Sequence, residues 1–182
     1  MIRDLRADEI SVRVQSIYKN KALLLLYKDA RVDMSILNET FGVGFWKREH
    51  RIEGDYLICR VSVYNSKINE WAHYEDVGIE GNYQKEKSLF SDAFKRACFN
   101  IGIGIELYTA PKIVVILTDE EVQYQNKINF HVSELKIVDK NIVGLTIRDA
   151  NGTNRLKIPY NESQKPKTTT TGGKNEMVSR KQ

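Results

Sequence analysis

Two adjacent cations, Lys95 and Arg96, stand inside an apolar repeat, a placement suited to holding phosphates. Phe90, Ala93, Phe94, Ala97 and Ile101 recur at three- and four-residue spacing, which predicts an amphipathic helix over about 84–101. Lys85, Ser88, Asp92 and Lys95 fall on its opposite side. Helical neighbours diverge by about 100°, so Lys95 and Arg96 flank the exposed face and could contact successive phosphates of one strand. Gly102 is placed to end the helix in a left-handed cap, and Leu107-Tyr108 beyond Gly104 reads as an aromatic anchor. Plain solvation also produces charged helix faces, and the helix alone does not separate the two readings.

A second group interleaves cations with rings: Trp46, Lys47, Arg48, His50, Arg51, Tyr56, Arg60 and Tyr64. Single-strand binders use this mixture, because cations follow the backbone while rings stack on bases of any sequence. Charges that protect a sheet edge would look the same. Glu75-Asp76-Val77-Gly78 ends a strand just before the helix. Paired acids can bind a divalent metal, but no third ligand stands at metal spacing, so one acid is expected to orient a basic side chain. Asp119, Glu134 and Lys136 faintly echo the acid, acid-x-lysine arrangement of metal-dependent nucleases, which keeps that class as an alternative. A protein-interaction module without nucleic acid is the other. Gly102-x-Gly104 follows a helix and lacks a third glycine, so it is no dinucleotide fingerprint, and no phosphate-loop lysine motif indicates ATP.

The elements that would position these residues can be read from period and punctuation. A first helix is expected over about 6–18, from Ile10, Val14 and Ile17, then a short buried strand at Ala22–Tyr27. Asp33 is a plausible N-cap for a helix through Phe41, stopped by Gly42. Strands follow at Phe45–Ile52, Tyr56–Tyr64 and Glu70–Gly78, the second with Leu57, Cys59, Val61 and Val63 on one face. With the long helix they make an antiparallel β-β-β-α unit, a meander crossed by a helix, so the expected class is α+β. Ile113–Leu117 is a further strand, and 130–158 reads as a small antiparallel addition with a type I′ turn at Asn151-Gly152.

Composition sets the bounds. Of 182 residues, 41% are hydrophobic, enough for one core, and no apolar run approaches the roughly 18 residues of a membrane span. Cys59 and Cys98 form no disulfide framework, and His50, His73 and His131 form no metal motif with them, so a reducing, cytoplasmic setting is expected. No signal peptide is expected at the start. The net charge is +4, of which the segment after Tyr160 holds +3, from five cations and two anions. A nearly neutral body requires any nucleic-acid site to be a local patch. The Lys-Pro-Lys, threonine-run and glycine composition of that last segment predicts disorder.

These residues resemble the Rad-fifty-two type of single-strand annealing proteins, most nearly the short phage versions. The likeness is carried by Ser91 to Ala97, by Gly102-Ile103-Gly104 with Leu107-Tyr108, and by Glu75-Asp76-Val77-Gly78. Asp8-Glu9-Ile10 with Arg13, Tyr27-Lys28-Asp29-Ala30-Arg31, Leu37, Gly42 and Trp46 extend it over about residues 6–118. The chain is thus expected to divide into a single-strand annealing core over 1–118, as the resemblance implies, then a β-rich addition over 119–159 and a disordered basic tail over 160–182, as pattern and composition imply. The resemblance also implies protomers in a closed ring of about ten or more subunits. Single-stranded DNA would run in an outer basic groove between hairpin stem and helix-bearing body. Its bases would stay free, and complementary strands would anneal without nucleotide hydrolysis, enzyme activity, cofactor or membrane. By position, Lys95 and Arg96 match the family's phosphate-binding pair and Arg13 its N-terminal contact. Lys85 and Lys87 lie near its further groove lysines, across a shorter loop. Phe99 and Ile105 stand where relatives carry cations, and Lys47, Arg48, Arg51 and Arg60 are expected to compensate. Single-stranded DNA and other copies of the chain are the implied partners, with a single-strand binding protein as a further candidate.

Overall fold

The computed structural model of the protein describes residues 1–78, 85–124 and 128–160, and of 85–87 the backbone alone. Of the tail expected over 160–182, only Tyr160 falls within them. Near the N-terminus the helix expected over 6–18 is replaced by a 3-10 turn at Ala7–Glu9 and a strand, β1, at Ser11–Tyr18. β1 pairs antiparallel with β2 (Lys21–Tyr27), setting Val12 opposite Leu26 and Val14 opposite Leu24. The register then shifts between Val14 and Ser16, and Ile17 meets Ala22. This bulge keeps Val12, Val14 and Ile17 on the face that carries buried Ala22, Leu24 and Leu26. It also turns a two-residue strand period into a three-residue step, which imitates a helix.

Helix α1 (Ala30–Phe41) starts before the expected cap. Asp29, not Asp33, is the N-cap, its Oδ1 accepting from Arg31 N at 2.8 Å. Asp33 is fully buried one turn inside. Gly42 ends the helix as expected.

The meander forms as its alternation predicts. β3 (Trp46–Glu53), β4 (Tyr56–Asn65) and β5 (Glu70–Val77) make an antiparallel sheet in the order β3-β4-β5. Leu57, Cys59, Val61 and Val63 are buried beneath α2 (Lys85–Ile101), whose Ala93, Phe94, Ala97 and Cys98 are fully buried. A ring buried like that of Phe94 contributes on the order of 1.5–3 kcal/mol of transfer free energy. Phe90, counted in the same stripe by spacing, lies at the rim, 46% exposed and 4.9 Å from the His50 ring. Gly78 passes tightly under α2: a Cβ there would lie 2.7 Å from Leu89 O. Beyond α2, Ile103 N donates to Cys98 O across Gly102, the expected cap.

After a 3-10 turn at Ile105–Thr109 come β6 (Ile113–Ile116), α3 (Asp119–Gln123), β7 (Phe130–Val138), β8 (Asn141–Asp149) and β9 (Asn154–Ile158). The C-terminal strands extend the first sheet, giving an antiparallel order β6-β2-β1-β7-β8-β9. β1 and β7 pair at Ser11 and His131, and Arg155 on β9 reaches back to β6, donating to Ile116 O at 2.7 Å. The turn type expected at Asn151-Gly152 occurs elsewhere. Asp139 and Lys140 both have positive φ, 49° and 61°, as a type I′ turn needs, whereas at Asn151-Gly152 only Gly152 does. There Gly152 N donates to Asp149 O at 3.0 Å, closing a type I turn. Among the described residues, no helix is long and apolar enough to cross a membrane.

Candidate nucleic-acid interface

A buried ion pair organises the region around Lys95. Lys28, just past β2, is 2% exposed; its ammonium donates to Asp33 Oδ1 on α1 and lies 4.6 Å from the centre of the Phe99 ring on α2. Burial pushes the Asp33 carboxyl up to about 6, against the pull of Lys28. Burial likewise raises the Cys98 thiol, with the Asp33 charge adding to it. The pair ties the end of β2 to both helices. Gly104 makes room for it, with φ 74° and a position where a Cβ would lie 2.4 Å from Lys28 Cε.

Above this pair is an open cleft of about 230 Å³, walled by β2, α2 and the second 3-10 turn. Tyr27, Lys95, Phe99 and Tyr108 line it. Tyr108, expected to be an anchor, is 70% exposed and stands edge-on to Phe99, ring centres 4.8 Å apart. Tyr27 is 40% exposed, and the Arg13 guanidinium of β1 sits 5.8 Å from its ring centre. Lys95 thus lines an aromatic opening, and Arg13, distant in sequence, reaches one of its lining rings, Tyr27. The side-chain hydrogen bond from Arg31 holds the Asp29 carboxyl below the usual carboxylate range, and the Lys95 charge adds to this. Lys95 itself makes no ion pair among the described residues.

Arg96 turns the other way. Its Nε donates to Asp76 Oδ1 at 3.2 Å, on β5, and the side chain is one-third exposed. Asp76 therefore has the expected role of an acid orienting a cation. Glu75 does the same twice over: it accepts from Arg51 at 2.8 and 2.9 Å and also from Arg60. Arg51 further donates to Glu53 at 2.6 Å, so two arginines and two glutamates cancel on the outer face of the meander. The two arginines hold the Glu75 carboxyl down to about 2, Arg51 first. A depressed carboxylate stabilises the fold above its unfolded range, and that contribution is lost as pH falls toward 2. Glu75→Gln is accordingly expected to be less stable than the parent at pH 7. The difference should shrink in urea unfolding at pH 3; a gap constant from pH 7 to 3 would contradict the assignment.

Lys47 and Arg48 lie on opposite faces of β3, as strand alternation demands. Lys47 Nζ stands 5.2 Å from the Trp71 ring centre on the outer face, beside the Phe45, Tyr64 and Trp71 rings. Arg48 is on the helix side, 4.6 Å from the ring centre of Phe94. The candidate cations therefore divide into Lys95 at the cleft, Arg13 on Tyr27, Arg96 on Asp76, and the meander group. The side chains of Lys85 and Lys87 lie outside the described residues. Sequence reasoning missed Tyr27 and Phe99 as parts of a site. Tyr27 entered only as part of a motif and Phe99 only as the loss of a cation, and their place on one cleft depends on how β2 and α2 pack.

The residues of the nuclease alternative stand on two elements, Asp119 on α3 and Glu134 and Lys136 on β7. Glu134 accepts from Thr146 Oγ1 at 2.8 Å, Lys136 lies 5.5 Å from the Tyr160 ring centre, and Asp119 opens α3. Among the described residues, no group of three or more His, Cys, Asp or Glu side chains is arranged to hold a metal. Compared with known proteins, the chain matches no family model and no curated protein.

Proposed function

We propose that this protein binds single-stranded DNA and anneals complementary strands in homologous recombination, in the cytoplasm, without nucleotide hydrolysis and as a ring of its own copies. The observation that carries the reading is that exposed Tyr27 lines the same cleft as Lys95 and carries the Arg13 guanidinium 5.8 Å from its ring centre. Cations that border an aromatic opening suit a sugar-phosphate backbone with bases beside it. The body of the chain is nearly neutral, so one protomer would grip weakly. Repetition of the patch around a ring converts weak contacts into tight binding, because each further contact is intramolecular. The resemblance to single-strand annealing proteins points the same way.

Fluorescence polarisation with a labelled oligonucleotide across a salt series tests the proposal. For single strands the slope of log affinity against log salt is about −0.7 per phosphate contact, so Arg13→Ala with Lys95→Ala is expected to flatten it by about 1.4 for each protomer engaged. Lys95→Ala with Arg96→Ala should lose less, because Arg96 already faces Asp76. If the folded Arg13→Ala, Lys95→Ala variant binds with unchanged affinity and slope, the cleft is not the strand site.

A further inference from the structure

We infer that the cleft beside Lys95 takes a nucleobase, so that each protomer withdraws one base of the bound strand and holds it against Tyr108. This rests on the strand-binding reading above and adds a subsite to it. A groove meant only for a backbone needs cations along an open track, with no recess. Here the opening leads into a space of about 230 Å³ whose walls are mainly aromatic and aliphatic, with the Asp92 carboxylate also on its lining. Lys95 and the Arg13–Tyr27 stack stand beside it. That combination, a mostly apolar slot with Lys95 and the Arg13–Tyr27 stack beside it and one acid, Asp92, on its lining, is complementary to a nucleotide: a flat, apolar base face joined to an anionic phosphate.

The walls are prepared for such a guest. Tyr108 is 70% exposed, yet it is not loose: its ring rests edge-on against Phe99, and Phe99 is backed by the buried Lys28 ammonium at 4.6 Å. A tyrosine held this way offers a ring face at little ordering cost. Stacking on any base face is indifferent to sequence, as an annealing protein requires. Holding one base per protomer leaves the intervening bases free to pair, and it would set the strand in register with the ring.

The test uses the full-length protein and single strands carrying 2-aminopurine or scattered abasic sites. Tyr108→Phe should quench 2-aminopurine as the parent does, and Tyr108→Ala should not. Abasic strands and Tyr108→Ala should each weaken binding by about 5- to 150-fold, the range for lost base stacking, without an additive effect together. Circular dichroism and thermal unfolding of Tyr108→Ala should match the parent, since the side chain is mostly exposed. If abasic strands bind the parent as well as intact ones and Tyr108→Ala changes nothing, the base slot is refuted while strand binding stands. If no oligonucleotide binds at low salt, both readings fall. If Tyr108→Ala lowers only the oligomer mass in light scattering, the cleft belongs to a contact between copies and the base slot is wrong.

Discussion

Lys28→Met is expected to destabilise the protein by about 3–5 kcal/mol, and Asp33→Leu by a similar amount. Each leaves one charge buried without its partner: Lys28 is 2% exposed, Asp33 is fully buried, and among the described residues Asp33 Oδ2 accepts no hydrogen bond. The double variant Lys28→Met, Asp33→Leu should recover most of the loss, because it removes the desolvation cost of both ions. Urea unfolding of the four proteins measures the coupling. A double variant as unstable as the two single losses added together would show that the pair is not energetically linked. The pH dependence has a definite sign. Asp33 binds its proton more tightly in the folded state, at about 6 against an ordinary 3.8, so its stabilising share is complete below about pH 4. That share fades as pH rises through 6. The Asp33→Leu variant should lack this fall between pH 4 and 6.

Gly104→Ala should cost about 2–5 kcal/mol. Two effects add. An L-residue at φ 74° carries roughly 1–2 kcal/mol of left-handed strain. The new methyl would also lie 2.4 Å from Lys28 Cε and 2.9 Å from Cδ, an overpacking of the kind that costs about 1–3 kcal/mol. A free lysine would swing aside, but the Lys28 ammonium is tied to Asp33. In a Lys28→Ala background the clash disappears, so the same glycine substitution should then cost only the strain, about 1–2 kcal/mol. An equal cost in both backgrounds would mean that Lys28 is not what Gly104 accommodates. Because Lys28 backs Phe99, and Phe99 supports Tyr108, Gly104→Ala should also disturb the cleft.

Much of the architecture is legible in the sequence. The meander and its helix were readable because both periods were unbroken: alternation in Leu57, Cys59, Val61 and Val63, and the three-to-four spacing of Ala93, Phe94 and Ala97. Where a period was interrupted, reading failed. Gln15 in a bulge made β1 look helical, since a three-residue step between Val14 and Ile17 fits either element. Asp33 looked like a cap because capping aspartates and buried, ion-paired ones are the same letter; Asp29 occupies the cap. The turn expected at Asn151-Gly152 erred because a favoured dipeptide is a preference, and the strand register around it selects the turn.

The candidate site divides along the same line. That Lys95 and Arg96 diverge follows from helix geometry alone, and that Lys47 and Arg48 face apart follows from strand geometry. Which cations are spent on acids does not follow. Arg51 and Arg60 share Glu75 across three strands, and Arg96 meets Asp76 from a helix 20 residues away in sequence. By itself the sequence determined local periods, the positions of charge and the elements that bear them, because those depend on neighbours a few residues apart. Only the tertiary structure decided that Tyr27, Lys28, Lys95 and Tyr108 line one opening and that Arg13 reaches the Tyr27 ring. Such meetings are set by how sheets and helices pack, and a packed interface is chosen by the shape and burial of the whole chain at once.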